Sequence, residues 1–485
     1  MAPPTSLLLK NGTVLVHGAQ DRVSVLKVDV LVLDNKIAAV EENITTPSDD
    51  TLVIDCTGKI VSPGFVDTHH HVWQTQLKGR HANDTLLDYI PKGNLAGKLF
   101  TPEDIFWGEL GGCLEAIDGG TTMVVDHAHM TYSAEHVNNA ISATVSSGIR
   151  SYFCYSPTML VQTWDPLVLE PSDSSQLGGL AKQQPFGDGR VQLGLGFDGI
   201  GAMPKEAVVA LYTHARALGV KLITSHYVPG PIVGRQSVVE LLNSYDLLRS
   251  DILLSHATNA TPNDATLLSA ANAHVSATPD TEMQMGHGFP VCFRDDLQRS
   301  SSLGVDCHSN NSGDMLTQMR LALQSARAAY NQPFVDAGKA PKTVAHTVEA
   351  AFNLGTIQGA RAVGMEVHLG SISVGKLADL VVFSGESPAM ICAAEHDPVA
   401  AIVLHASVRD VETVIIDGKL RKRDGKLLPV EDLNRKNVEW KDVARELLDS
   451  RKRIQSEAEK LDLDAVKAGV MRAWRMDSSN FVETL

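Results

Sequence analysis

The sequence predicts an α/β fold: a (β/α)₈ barrel, a small discontinuous β-sandwich domain formed by both ends of the chain, and a C-terminal helical tail. Three patterns predict it. Eight short apolar runs alternate with segments of helical period, hairpin-like strand patterns stand at both ends, and the last fifty residues are amphipathic. The predicted domains are residues 1–60 and 366–430 for the β-sandwich, 61–365 for the barrel, and 431–485 for the helical extension.

The β-sandwich is predicted from β-branched runs that are separated by turns of the hairpin kind. Residues 7–56 contain "TVLVHG", "VDVLVLDNKIAAV" and "TLVIDCTGKIV". Near the other end, "ADLVVFSG" and "VETVIIDGKLRKRDGKLL" repeat the pattern of strand, Asp-Gly turn and strand. Because the termini of a domain often lie close together, the two sets are expected to form one domain.

The barrel is predicted from eight apolar runs between residues 61 and 365. They are "GFVDTHHH", "TTMVVDHAH", "RSYFCYSP", "VQLGLGFDG", "VKLITSHY", "ILLSHAT", "HVSATPD" and "LGVDCHS". Buried parallel strands have near-continuous apolar sequences, and eight of them alternating with helices are typical of a closed barrel. An open doubly wound sheet is the alternative, but the first strand is not followed by a G-x-G-x-x-G turn.

The tail from about residue 434 has apolar residues at three- and four-residue spacing with charges between them. This pattern predicts amphipathic helices that pack on the barrel or on another subunit. A homodimer or homotetramer is therefore expected.

Composition limits the class of partner. A formal charge of −15 argues against nucleic acid, which requires clustered Lys and Arg, so a small-molecule substrate is expected. The six cysteines are far apart and form no C-x-x-C pair, which fits a reducing compartment. No signal peptide and no apolar stretch of about 18 residues is seen, so the sequence predicts a cytoplasmic protein without a membrane anchor.

Polar residues cluster where the proposed barrel strands end, which is where barrel enzymes build their active sites. They are His69, His70, His71, Asp126, His127, His129, His226, His256, Asp306 and His308. Residues i and i+2 of a strand share a face, so His69 and His71 are the expected chelating pair, with His70 facing the helices. Two such imidazoles, with a third from strand 5 and a carboxylate from strand 8, suit zinc, and ferrous iron next, with one position open for water.

At this point the sequence resembles the amidohydrolase superfamily, in particular the branch with cytosine deaminase, guanine and 8-oxoguanine deaminases and triazine hydrolases. The matching stretches are "SPGFVDTHHHVWQT", "GGTTMVVDHAH", "SHYV", "LLSHAT", "LGVDCHSNNSGDM", "AFNLGTIQGARAVG" and "GSISVGKLADLVVF". They occur in family order over about residues 7–425, and only the tail falls outside.

The resemblance implies a ligand set and a mechanism. One divalent metal is expected on His69, His71, His226 and Asp306, because "VQLGLGFDG" lacks the strand 4 lysine of two-metal members. Asp306 would be the catalytic base that accepts the proton of the attacking water and passes it to the leaving nitrogen. His256 would stabilise the developing oxyanion.

One position departs from the family pattern. Deaminases of this branch usually carry Glu three residues after the strand 5 histidine, where it protonates a ring nitrogen, but this chain has Pro229. Glu282, Asp280 or His308 could replace the missing acid. Otherwise the chemistry needs no ring protonation.

Four further residues are candidates for substrate contact. Gln74 follows the chelating pair, and Trp73 could stack on a planar ring. His127 and His129 could orient the substrate or a metal ligand.

The expected function is that of a metal-dependent hydrolase that attacks an amide or amidine-like C–N bond of a small planar cyclic compound. Two alternatives remain open: a deaminase of a purine, pterin, pyrimidine or triazine that uses a substitute acid, and a metal-dependent lyase such as a decarboxylase.

Overall fold

The computed structural model describes residues 6–172 and 175–484. Its strands, β1 to β21 in chain order, are Ser6–His17, Val23–Leu33, Lys36–Glu41, Leu52–Asp55, Lys59–Pro63, Phe65–His70, Thr121–Ala128, Arg150–Tyr155, Met159–Trp164, Leu167–Pro171, Val191–Gly196, Ile223–Tyr227, Ile252–His256, His274–Ala277, Ser301–Leu303, Leu380–Ser384, Val411–Ile416, Lys419–Arg423, Lys426–Leu427, Val430–Glu431 and Asn437–Val438.

The α-helices, α1 to α15 in chain order, are Leu86–Tyr89, Pro102–Asp118, Ala134–Ser147, Gln176–Ala181, Lys205–Ala217, Val238–Ser244, Pro262–Ala271, Pro279–Gln284, Met315–Asp336, Val348–Leu354, Ile357–Ala362, Ile391–His396, Pro398–Ala400, Trp440–Ala458 and Leu463–Ala473. Short 3₁₀ helices span Ala19–Asp21, Val72–Leu77, Leu95–Leu99, Gln298–Ser300, Val408–Asp410 and Ser478–Asn480, and π turns span Ile90–Asn94 and Ala401–His405.

The central sheet has eight parallel strands in the order β15, β14, β13, β12, β11, β8, β7 and β6. The first and last strands meet through a parallel bridge between His70 and Asp306, with the Asp306 N–H donating to the His69 carbonyl oxygen at 2.8 Å. The sequence prediction of a (β/α)₈ barrel is therefore confirmed. Every residue of β6, β7 and β8 is buried, as expected for barrel strands that helices cover on the outside and side chains fill on the inside.

The eighth strand differs from the sequence prediction. It spans Ser301–Leu303 and ends before the polar run, because Asp306 has a φ of 65° and leaves the extended conformation. The residues after β15 therefore do not follow the alternation of a strand, in which residues i and i+2 share a face. Asp306 and His308 accordingly do not share a face.

Both ends of the chain contribute to one nine-stranded sheet. Strands β1 to β5 come from the N-terminal end and β16 to β19 from the C-terminal end, and they join where β5 pairs antiparallel with β16. The predicted discontinuous β-domain is confirmed. The Arg150 guanidinium, at the start of β8, donates to Asp379 and Asp417 of this domain at 3.1 Å, which ties the barrel to it.

The tail forms α14 and α15, as its amphipathic pattern predicts. Helix α14 buries Val443, Leu447 and Ile454, and its Ser450 Oγ donates to Asp104 Oδ1 at 2.6 Å. Asp104 lies in the capping box of Thr101 that starts α2, so the tail attaches to the helix that follows the first barrel strand.

Among residues 6–172 and 175–484, no helix is long and apolar enough to span a membrane. All six cysteines are free thiols, and five of them are buried.

Candidate metal centre and active-site cavity

Four side chains meet at the C-terminal end of the barrel. His69 comes from β6, His71 directly follows that strand, His226 comes from β12, and Asp306 comes from the segment after β15. Their ligand atoms all lie within 4.8 Å of one another. Asp306 Oδ1 is 3.3 Å from Nε2 of both His69 and His71, and the Nε2 atoms of His71 and His226 are 3.2 Å apart.

The Nδ1 atom of each ring is engaged elsewhere. The partners are Ser255 Oγ at 2.8 Å for His69, the carbonyl oxygen of His127 at 2.8 Å for His71, and Asp198 Oδ2 at 3.0 Å for His226. A carbonyl or carboxylate oxygen can only accept, so Nδ1 of His71 and of His226 carries the proton. Asp198 raises the pKa of His226. When both rings are neutral, as metal ligands are, their Nε2 lone pairs face each other at a distance where two acceptors repel.

A divalent cation resolves this conflict. In tetrahedral coordination with metal–nitrogen distances of about 2.05 Å, the ligand atoms lie about 3.3 Å apart. Three of the six separations among these atoms are 3.2 or 3.3 Å, and all six lie within 4.8 Å. Burial lowers the pKa of His69 and His71 well below the usual range, which keeps both imidazoles neutral, as a metal requires. The residues present therefore fit a divalent metal ion.

His256, at the end of β13, lies beside these ligands. Its ring centre is 5.5 Å from that of His69 and 5.7 Å from that of His226. Nδ1 is hydrogen bonded to Thr278 Oγ1 at 2.9 Å, so Nε2 is the nitrogen available to the cavity. Burial lowers the pKa of His256 to about 4, and its φ of 73° is a strained conformation of the kind found at functional sites.

A cavity of about 490 Å³ opens onto three of the four candidate ligands, His71, His226 and Asp306. Polar residues that line it include His71, Asp198, His226, His256, His287 and Asp306. Apolar residues that line it include Leu86, Ile90, Val228, Pro229, Val233, Val238, Leu241, Met285 and Trp474. Tyr89, Asn94, Tyr227, Arg235 and Gln236 also line it, and this size and mixed lining suit a small organic molecule.

Two residues expected to touch substrate lie outside the cavity lining. Trp73 is fully buried, with its ring 4.9 Å from that of Phe100, because the chain turns into a 3₁₀ helix straight after His71. Gln74 is also buried, and its Nε2 donates to the hydroxyl of Tyr89 at 2.6 Å. Tyr89 lines the cavity, so this hydrogen bond connects Gln74 to a lining residue.

His127 and His129 lie behind the metal ligands. The ring of His129 is 4.2 Å from that of His71, and the ring of His127 is 4.5 Å from that of His226. Neither histidine is among the residues that line the cavity. They contact ligands, and a role in substrate binding does not follow from their positions.

The proposed substitute acids do not line the cavity either. Glu282 lies behind His256, where Oε1 accepts from the Thr278 N–H at 2.8 Å, and burial raises its pKa to about 8. His308 points toward α2, with Nδ1 2.6 Å from Nε2 of His70, because the left-handed turn at Asp306 redirects the chain. Asp280, in the first turn of α8, is also absent from the lining.

Sequence reasoning missed several cavity residues. Asp198, two residues beyond β11, accepts from both the backbone N–H and Nδ1–H of His226, and its "FDG" position at a strand end was a usable signal. His287 lies on a loop after α8, with its ring 4.9 Å from that of His256. Trp474 comes from the tail, and no local pattern connects it to the barrel.

A (β/α)₈ barrel with three imidazoles and a carboxylate converging at its strand ends defines a metal-site hydrolase scaffold. The chain belongs to the amidohydrolase family, whose family model matches residues 60–421. The predicted class, a hydrolase that acts on C–N bonds other than peptide bonds, is confirmed, and the resemblance read from the motifs is confirmed with it.

Two similar proteins are archaeal deaminases. The 5-methylthioadenosine/S-adenosylhomocysteine deaminase of Thermococcus kodakarensis is 30% identical over 429 residues, covering 86% of this chain and 93% of its own. The 5'-deoxyadenosine deaminase of Methanosphaera stadtmanae is 30% identical over 449 residues, covering 89% and 97%.

Two solved structures share the fold. A triazine hydrolase from Arthrobacter aurescens matches with a TM-score of 0.78 at 20% identity, covering 92% of this chain and 99% of its own. A zinc-bound adenosine deaminase from Xanthomonas campestris matches with a TM-score of 0.78 at 21% identity, covering 94% and 99%.

Proposed function

We propose that this protein is a mononuclear metal-dependent aminohydrolase that removes an exocyclic amine from a planar nitrogen heterocycle of the aminopurine kind. The observation that carries the proposal is the convergence of three imidazole nitrogens and one carboxylate oxygen on the cavity floor. The deaminase names of the two archaeal relatives support an aminopurine as the heterocycle.

His69, His71, His226 and Asp306 would hold the ion, with zinc favoured and ferrous iron next. A divalent metal there supplies Lewis acidity, which makes hydroxide available as the nucleophile near pH 7. A second donor group, His127, Asp198 and His226, shares a histidine whose Nδ1–H already binds Asp198. The strand β11 has no lysine to bridge two ions, so one metal per chain is proposed.

Asp306 would transfer the proton, and His256 would stabilise the charge that develops during the attack. Asp306 Oδ1 faces Nε2 of His69 and His71, which leaves Oδ2 to take the proton of the attacking water and deliver it to the leaving nitrogen. Nε2 of His256 would stabilise the charge that develops on the attacked carbon's oxygen, because Thr278 fixes the ring through Nδ1.

In this proposal, His287 takes the place of the missing acid as a hydrogen-bond donor to the substrate ring, without transferring a proton to it. It lines the cavity, and neither of its ring nitrogens has a hydrogen-bond partner among the described residues. Burial, together with His256, lowers the pKa of His287 to about 3. The ring is therefore neutral at pH 7, and its N–H would donate a hydrogen bond to a ring nitrogen of the substrate.

A second candidate function is hydrolysis of a cyclic amide. Pro229 lines the cavity where the family's acid would stand, and it has no side-chain donor. A ring carbonyl is already electrophilic and needs no ring protonation before attack. The product would be a ring-opened acid, with no ammonia released.

The test measures metal content and products together. We expect about one zinc per chain and zinc-dependent ammonia release from an aminopurine whose ring stays intact. His69→Ala should lose the metal and the activity, whereas His214→Ala, at an exposed position of α5, should keep both.

Unchanged metal content and activity in His69→Ala would refute the metal centre. Addition of one water to a cyclic amide without ammonia would replace the first candidate by the second. For His287, we expect His287→Ala to lower kcat on an aminopurine at least tenfold with the metal retained.

Small-molecule substrates are thus proposed, and residence in the cytoplasm and assembly into a homodimer or homotetramer stay predictions.

A further inference from the structure

The tail, which lies outside the stretch matched by the family model, contributes to the cavity. The family model ends at residue 421, and Trp474 follows α15 fifty-three residues later. Trp474 lines the cavity together with residues from the barrel loops and keeps 41% of its surface exposed. An indole left uncovered on a cavity wall is a ready contact surface for an apolar or aromatic group.

Helix α15 is packed firmly enough to fix the position of this side chain. Its Val466 and Val470 are buried in one apolar cluster with Ile90 and Val161, and Leu86 packs against that cluster. Leu86 and Ile90 also line the cavity, so the helix supports the cavity wall from behind.

Polar contacts add to this attachment. Lys467 Nζ on α15 donates to Asp88 Oδ1 at 2.5 Å, between those two wall residues. On α14, a guanidinium nitrogen of Arg451 donates to the carbonyl oxygens of Gln76 and Lys78 at 2.5 and 2.9 Å. The tail therefore holds the segment that follows the metal ligands of β6.

The charge of the cavity indicates which part of a ligand would reach Trp474. Within the described part of the chain, the charged residues that line the cavity, apart from histidines, are Asp198, Asp306 and Arg235. Asp198 binds His226, and Asp306 contacts the other ligand histidines. Both carboxylates are thus engaged by histidines, and the lining also includes the apolar side chains of Leu86 and Ile90, which suit an apolar or aromatic substituent.

We infer that Trp474, Leu86 and Ile90 form an outer subsite for an apolar, preferably aromatic, substituent of the heterocyclic substrate. The tail is then a part of the active site that determines specificity. The substrate class rests on the proposed function, whereas the subsite itself is a binding property that can be measured without turnover.

The experiment compares two probes on the full chain: binding is measured after the metal has been removed with a chelator, so that neither probe is turned over, and ammonia release is measured with zinc restored. Adenosine and 9-benzyladenine carry the same aminopurine, with a sugar or an aryl group at the same ring nitrogen. Calorimetric titration should show that 9-benzyladenine binds at least tenfold more tightly. Trp474→Ala should reduce that preference to threefold or less, and Trp474→Phe should keep most of it.

Trp440→Ala is the matched control, because Trp440 begins α14 of the same tail, is 45% exposed and does not line the cavity. It should leave the preference unchanged. Metal content and melting temperature of each variant show whether it is folded, and Trp474→Phe keeps the inference testable if the alanine variant is not.

Each outcome separates the two proposals. Equal binding of the two probes, or tighter binding of adenosine, overturns the subsite, and so does a preference that survives Trp474→Ala. Tight binding of 9-benzyladenine without zinc-dependent ammonia overturns the aminohydrolase proposal and supports the subsite. Ammonia release from both probes, bound with equal affinity, supports the aminohydrolase proposal and overturns the subsite. If neither probe binds, both proposals are overturned.

Discussion

Asp198 provides the sharpest test of how the metal centre is built. Its Oδ2 accepts from His226 Nδ1–H at 3.0 Å, and its Oδ1 accepts from the His226 backbone N–H at 2.8 Å. Such a carboxylate behind a ligand imidazole fixes the tautomer and raises the basicity of the ligating nitrogen. Asp198→Asn preserves the shape and one acceptor oxygen while it removes the negative charge.

The magnitude follows from the change in the hydrogen bond. A bond to a charged acceptor contributes about 1.5–3 kcal/mol and a neutral one about 0.5–1.5 kcal/mol. The Asp198 side chain is 46% exposed, so solvent screens its charge and the difference lies at the lower end, about 1 to 1.5 kcal/mol. We therefore expect Asp198→Asn to weaken zinc binding about five- to thirteenfold.

The assay is a competition titration of zinc between the protein and a chromophoric chelator at pH 7.5. Asp246→Asn serves as the control, because Asp246 is fully exposed and its nearest cation, Arg249, is 3.9 Å away. A zinc dissociation constant of Asp198→Asn within twofold of the unsubstituted protein would refute the argument that this carboxylate supports His226.

Three further predictions concern stability and are measured by urea denaturation. Arg150→Met should cost about 3–5 kcal/mol, because it leaves the carboxylate of Asp379 buried without its cation, and a loss below 1 kcal/mol would contradict this. Gly112→Ala should cost about 1–3 kcal/mol, since its Cβ would overlap the carbonyl oxygen of Val72, whereas Gly178→Ala, with open space around it, should cost nothing. Burial lowers the pKa of His17 to about 4. As the pH falls below 6.5, the His17 imidazole is therefore protonated in the unfolded state before it is protonated in the folded state. Folding should lose about 2 kcal/mol from pH 7 to pH 5 through this group, a loss that His17→Gln abolishes; an unchanged pH dependence in the variant would disprove the assignment.

Most of the fold was predictable because its signals are local. The apolar runs of the barrel and the turns of the terminal sheet can be recognised in windows of fewer than fifteen residues. The sequence predicted that the two ends form one domain, but it did not predict that β5 pairs with β16. The register of that pair, in which Val61 lies opposite Val382, depends on packing. The pairing partners lie more than three hundred residues apart in the chain.

The proposed metal-binding residues were also indicated locally, whereas their supporting residues were not. Alternation along β6 separates His69 and His71 from His70 without reference to any other element. His308 could not be placed by the same rule, because the backbone of Asp306 turns left-handed where it bridges back to His70. Glu282 was expected in the cavity but lies behind His256, because the direction of α8 determines where its side chain points.

The sequence by itself determined the barrel, the terminal β-domain, the family and the four side chains that meet on the cavity floor. These features depend on strand periodicity and on motifs whose spacing is short. The tertiary structure alone decided that Trp73 and Gln74 face the core, that Asp198 fixes His226, and that Trp474 reaches the cavity. Each of these depends on packing between elements that are distant in the chain, and such packing leaves no periodic signal in any one segment.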